Sequence, residues 1–179
     1  MSIKNLQSNR LIYRDVKRSD LELYIRLHTD HNVMQYVGPV WNKERAIEEF
    51  EKYFEPWLDL EDQWLSYIIC DQQNMAVGLI GLKLQSSDDN RRELGFMILP
   101  EGQGFGYATE AASVMLDVAF NILGSHKVVA VCDNQNQASK NVLLKNMFVQ
   151  EGLLREQFNY NGRWVDDAIF SILQHEYEA

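Results

Sequence analysis

This chain holds no uninterrupted apolar stretch approaching the roughly 20 residues of a membrane span, and its start, MSIKNLQSNR, lacks the apolar run of a secretory signal. It is therefore expected to stay in the cytoplasm and off the membrane. Cysteine is nearly absent. Cys70 and Cys132 each sit inside an apolar run, SYIICD and VVAVCD, which reads as a buried reduced thiol rather than a disulfide or a nucleophile. Positive charge is also scarce: 17 Lys and Arg against 26 Asp and Glu leave a net charge of −9. That balance disfavours a protein that grips nucleic acid through a basic face and favours cationic partners. The acidic residues gather in ERAIEEFEKYFEP, DLED and SSDD, read mostly as solvated helix faces and loops. Repeats, linkers and low-complexity segments are missing as well, so residues 1–179, 46% hydrophobic, are read as one domain.

What is present is strong periodicity. Arg10 to Val16 alternate as a strand, after which Ser19 or Asp20 caps a helix carrying Leu21, Tyr24, Ile25 and Leu27. A second helix is expected from about Asn42 to Trp57, with Ala46, Ile47, Phe50, Tyr53 and Phe54 at helical spacing and Pro56 near its end. Strands follow over Trp64–Cys70, Ala76–Leu84 and Glu93–Leu99, and the short polar turns between them imply antiparallel neighbours. A third helix, from about Gly106 to Leu123, places Ala108, Ala111, Ala112, Met115, Val118, Ala119 and Ile122 on one stripe, with Gly124 as its stop. The run HKVVAVCD reads as a buried strand, parallel to the one ending at Leu99 because a helix joins them. Gln137–Met147 forms a fourth helix, and Leu153–Tyr160 and Arg163–Leu173 flank the hairpin signal Asn161-Gly162. The sum is α+β: a mixed, mostly antiparallel sheet with helices on its faces.

Between strand and third helix lies LPEGQGFGYATEA. Backbone N–H groups gathered at a helix N-terminus hold phosphate. A dinucleotide turn would need a glycine where Tyr107 or Thr109 stands, and a P-loop would need a lysine, of which there is none between Lys83 and Lys127. A tight turn without ligand is the competing reading, since Gly102, Gly104 and Gly106 all suit positive φ. Glu110 in the first helical turn needs no function, because the helix dipole favours a carboxylate there.

The pattern Gln103, Gly106, Ala108 resembles the acetyl-CoA pyrophosphate loop of the GCN5-related N-acetyltransferase (GNAT) family. The segments NRLIYRDVKRSDLELYIRL, DNQNQASKNVLLKNMFVQEG and GRWVDDAIFSIL extend the resemblance in order along almost the whole chain, the last being similar to the tail of the ribosomal-protein N-terminal acetyltransferase branch (RimJ/RimL type). The resemblance implies a GNAT-like sheet with a splayed parallel strand pair. It implies backbone groups of Phe96, Met97 and Ile98 meeting the pantetheine arm and thioester. It implies pyrophosphate donors from Gly104, Phe105, Gly106, Tyr107, Ala108 and Thr109, with Gln103 opening the turn. Asn136 and Ser139 match the second motif, pantetheine contact and hydroxyl near the thiol, while also suiting an N-cap and a first turn. Where many relatives carry a tyrosine acid this chain has Leu143, which leaves Ser139 as the nearest candidate acid. Glu93 is the first candidate for the base that deprotonates the acceptor, and Asp166 is expected to order the hairpin.

Met147 replaces the usual glycine after the fourth helix, removing an easy left-handed cap unless Asn146 adopts that conformation. His28 and His31 read as helix surface rather than metal ligands, and no metal is expected. Tyr36 and Trp41 could line an acceptor pocket or simply pack. The implied activity is acetyl transfer from acetyl-CoA to a primary amine, a protein N-terminus or a small cationic amine, by direct attack in a ternary complex without nucleic acid. The acting unit is a monomer or homodimer. The alternative is a non-catalytic acyl-CoA-binding or sensing module, and a third reading is an adaptor that binds no coenzyme A.

Overall fold

Alternation in β2 (Trp64–Asp71) sends Leu65, Tyr67 and Ile69 to one side of a sheet and Ile68 and Cys70 to the other, and all five are buried. Both faces of the strand must therefore be covered. The computed structural model, which describes residues 3, 6–160 and 162–177, shows by what. Leu65, Tyr67 and Ile69 share a core with α4 (Tyr107–Asp117) and α5 (Gln137–Lys145). Ile68 and Cys70 pack with Tyr24, Leu27, Ala46 and Phe50 of α1 (Leu21–Thr29) and α3 (Lys43–Glu51). The remaining strands are β1 (Leu11–Asp15), β3 (Ala76–Ser86), β4 (Arg91–Ile98), β5 (Lys127–Asp133), β6 (Val149–Tyr160) and β7 (Arg163–Leu173), in the order β1-β2-β3-β4-β5-β7-β6 across the sheet. Short helices α2 (His31–Met34) and α6 (Gln174–Tyr177) complete an α+β fold with helices on both faces.

All neighbours pair antiparallel except β4 and β5, which run parallel as the intervening helix requires. Their ladder covers only Arg91↔Lys127, Arg92↔Val128 and Glu93↔Val129. Beyond it the strands part: Phe96 and Met97 keep partners on β3 alone, and Ala130 to Asp133 keep partners on β7 alone. On the β4 side of the wedge α4 packs on β4 and β3, and its wholly buried Ala111 and Ala112 let the helix approach the sheet closely.

The helix expected to reach Trp57 ends at Glu51 and passes through a 3-10 turn, Lys52–Phe54, to an extended Glu55 (φ −72°, ψ 146°). The ring of Pro56 disfavours helical geometry at the residue before it. The third helix is α-helical only to Asp117 and closes with a π turn, Val118–Ile122. The wider turn shifts the register, so Val118, Ala119 and Phe120 are all buried while Ile122 is exposed. Asp20 does not cap α1. It is buried and accepts both Arg14 guanidinium bonds (2.7 and 2.8 Å) and the Lys17 amide (2.8 Å). After α5 it is Met147 that takes the left-handed conformation (φ 64°), not Asn146 (φ −99°), whose side-chain amide is engaged by the carbonyls of Thr109 and Val142. Asn161 lies outside the described residues; the strands flanking it pair as far as Tyr160↔Arg163.

Candidate active site

The turn from β4 to α4 is built in two halves. In the first, the Leu99 amide donates to Val77 O (2.9 Å), and Gln103 returns its side-chain amide to Ile98 O (2.9 Å). Gly102 is not at positive φ, contrary to expectation. It is buried, and a Cβ there would stand 3.1 Å from both Val77 Cβ and Ile98 Cγ2, so the requirement is for room. In the second half Gly104 and Gly106 both take φ 80°, as a left-handed turn needs. No protein acceptor among the described residues takes the amides of Gly104, Phe105, Gly106, Tyr107, Ala108 or Thr109; the first amide of α4 to be bonded is that of Glu110, to Gly106 O (3.1 Å). Six successive free N–H groups at the positive end of a helix suit a pyrophosphate.

The loop is held from outside by Arg10, which donates to Phe105 O (2.8 Å) and to Glu110 (2.7 Å) while lying over the Tyr107 ring. Glu110 also accepts from Ser8 Oγ (2.7 Å) and the Arg10 amide (2.9 Å). Burial opposes its ionisation, but the Ser8 and Arg10 bonds outweigh that and hold its carboxyl below the ordinary range. Nothing in the sequence flags this pairing, whose partners lie 100 residues apart.

Along the wedge, Phe96, Met97 and Ile98 sit on the part of β4 that has no partner on its β5 side. Asn136 caps α5, accepting the Ser139 amide (3.0 Å), and Ser139 is half-buried in the first turn beyond it. Leu143 is buried in the core. Asp166 accepts the Glu156 amide (2.8 Å) and so pins the irregular stretch of β6. Glu93 is half-buried, ion-paired with Lys83 (2.9 Å) and bonded by Gln85 (3.0 Å). Both cysteines are free; burial pushes the Cys70 thiol up and that of Cys132 to about 11.

On the α1–α3 side of β4 lies a cavity of about 830 Å³ whose floor includes Gly95, Phe96 and Met97. Five carboxylates line it, from Asp15, Glu49, Glu55, Glu61 and Asp62, against one ammonium, Lys52. Aromatic walls come from Tyr24, Trp41, Tyr53, Trp57 and Trp64. Tyr36 and Glu93 do not line it. The Glu61 carboxyl is held below the usual range by the Ser87 amide and hydroxyl. His28 also lines the cavity and is 7% exposed, which corrects its reading as helix surface; His31 is exposed as read. The sequence showed the acids of DLED but not that the loop after α3 folds them over this face. The burial of His28 depends on Trp41, which stacks on it from outside its helix.

A family model described as an acetyltransferase (GNAT) domain matches residues 10–149. The spermidine N(1)-acetyltransferase of Escherichia coli (strain K12) is 29% identical over 174 residues, covering 93% of this chain and 87% of that protein. An N-acetyltransferase of Bacillus subtilis is 28% identical over 171 residues, covering 94% of this chain and 96% of that one. The crystal structure of spermidine N-acetyltransferase from Vibrio cholerae in complex with CoA and spermine shares the fold with a TM-score of 0.84 at 28% identity, covering 96% of this chain and 100% of that one. The splayed strands, the amide-rich loop and these matches lead to one conclusion: the chain belongs to the GNAT family, and it is an N-acetyltransferase that transfers acetyl from acetyl-CoA to an amine.

Proposed function

We propose that the acceptor is a small linear polyamine rather than a protein N-terminus, and that one of its amines attacks the thioester directly in a ternary complex. The observation that carries this reading is the cavity at the free reach of β4, where five carboxylates and a wall of aromatic rings surround a single ammonium. Ammonium groups are attracted to such carboxylates and to aromatic faces alike. The spermidine acetyltransferases among the relatives support it.

In this mechanism the loop amides from Gly104 to Thr109 hold the pyrophosphate, with Gln103 bracing the turn, and the pantetheine amides bond the free edge of β4 at Phe96–Ile98 and lie against Asn136. The amine reaches the thioester across the Gly95–Met97 floor after losing a proton. Glu93, neutralised by Lys83 outside the cavity, is less suited to take that proton than the cavity's own groups. Attack forms the C–N bond and a tetrahedral oxyanion, which a backbone N–H on β4 stabilises by roughly 3 to 4 kcal/mol, as in other enzymes. Collapse breaks the C–S bond and expels coenzyme A as a thiolate, a fair leaving group with Leu143 in place of an acid. The positively charged nitrogen sheds its second proton to the cavity's groups or solvent and the thiolate is protonated, the Ser139 hydroxyl being the candidate relay. Thiols raised by burial make no acyl-enzyme nucleophile, which supports direct transfer.

The test is thiol release from acetyl-CoA across spermidine, spermine, short diamines, monoamines and peptides with free N-termini. Polyamines are expected to give the highest kcat/KM. Turnover of peptides with none of polyamines would overturn the reading.

A further inference from the structure

His28 stands in the last turn of α1, its ring stacked on Trp41 (centroids 4.3 Å apart) and tilted against Tyr24 (4.1 Å). Its Nδ1 is 2.9 Å from the carbonyl oxygen of Tyr24. A carbonyl only accepts, so Nδ1 carries the hydrogen, and in the neutral ring Nε2 carries the lone pair. Among the described residues Nε2 has no hydrogen-bond partner, yet it is not sealed in: the one sealed side-chain polar atom there without a partner is Trp57 Nε1. His28 is 7% exposed and lines the cavity, which puts the imidazole in the cavity wall.

We propose that Nε2 of His28 accepts a hydrogen bond from an N–H of the substrate amine, making the neutral imidazole a specificity-determining residue of the acceptor cavity. The assignment rests on the reading of that cavity as the amine site. Stacking on Trp41 needs only a flat ring, and phenylalanine would supply one. An imidazole held by its own helix carbonyl presents in addition a fixed acceptor, which favours a donor-bearing amine over ligands that offer only acceptors. The charged groups facing the ring are Arg45 and Glu49 of α3, and the phenols of Tyr24 and Tyr53 are neutral, raised by burial. Burial above all, with Arg45 adding to it against Glu49 and the Tyr24 carbonyl, lowers the imidazole below 6.5 and keeps it neutral at pH 7. Protonation in acid would replace the acceptor by a donor and add a positive charge beside a cationic substrate.

The experiment uses the full chain and the fastest amine of the panel. His28→Phe keeps the stack and removes the acceptor, and the expected result is an amine KM raised about 10-fold or more with acetyl-CoA KM and melting temperature unchanged. His28→Gln keeps an acceptor oxygen that does not titrate. The ratio of wild-type to His28→Gln kcat/KM cancels the ionisation of the amine itself, and it is expected to be flat from pH 7 to 9 and to fall only in acid, below the ordinary imidazole range, as the ring protonates. A well-folded His28→Phe with unaltered amine KM, or a ratio that rises toward acid, would overturn the proposal. If His28→Phe does not fold, the His28→Gln ratio decides alone. Wild-type protein that turns over no amine would instead sink the cavity reading, and His28 with it.

Discussion

Met147 adopts φ 64° with a side chain more than half exposed, so it contributes little packing to offset a left-handed backbone that an L-residue dislikes. Met147→Gly is expected to raise stability by up to about 1 kcal/mol, read as a higher midpoint in urea unfolding with an unchanged slope. Gly102 is the opposite case, a glycine with an ordinary φ that is wedged against Val77 and Ile98. The sequence showed that glycines were needed at Gly104 and Gly106 but could not tell a dihedral requirement from a steric one at Gly102, since the neighbours that set the latter come from β3 and β4. For the same reason the sequence hides that His28 is buried. Its helical spacing is visible in the chain, whereas the tryptophan that buries it arrives from the segment before α3.

At the scale of elements, the phosphate turn is held by a strap from before β1. Arg10 bonds Phe105 O and neutralises Glu110, and without it a carboxylate would face bound phosphate at the head of α4. Arg10→Ala is expected to raise the acetyl-CoA KM about 5- to 10-fold, roughly 1 kcal/mol for a half-exposed pair, with the amine KM unchanged; steady-state kinetics with each substrate varied would check it. The turn's glycines and the helix after it were legible because local geometry demands those residue types. The strap was not, being a long-range contact. Strands were read almost to the residue where alternation runs unbroken, but helix ends were missed where Pro56 and the π turn at Val118–Ile122 broke the period.

For the molecule as a whole, a net charge of −9 and an acid-lined cavity act together on a cationic substrate. Raising ionic strength from 0.01 to 0.15 M shortens the screening length from about 30 to about 8 Å, so for the polyamine acceptor proposed above kcat/KM is expected to fall several-fold while kcat holds, and charge-neutralised variants of Glu61 and Asp62 should flatten that dependence. The parallel pairing of β4 with β5 was legible from the helix between them. Where the pair divides was not, and only the likeness to a family suggested that it would. That dividing point acts as a chemical filter. Backbone groups on the facing edges above Glu93 and Val129 have no strand to bond and must be met by solvent or by whatever fills the wedge. A hydrocarbon arm would strand them, whereas an arm with amides spaced along it replaces water bond for bond. The preference for an amide-bearing carrier thus resides less in any side chain than in the length at which a ladder stops.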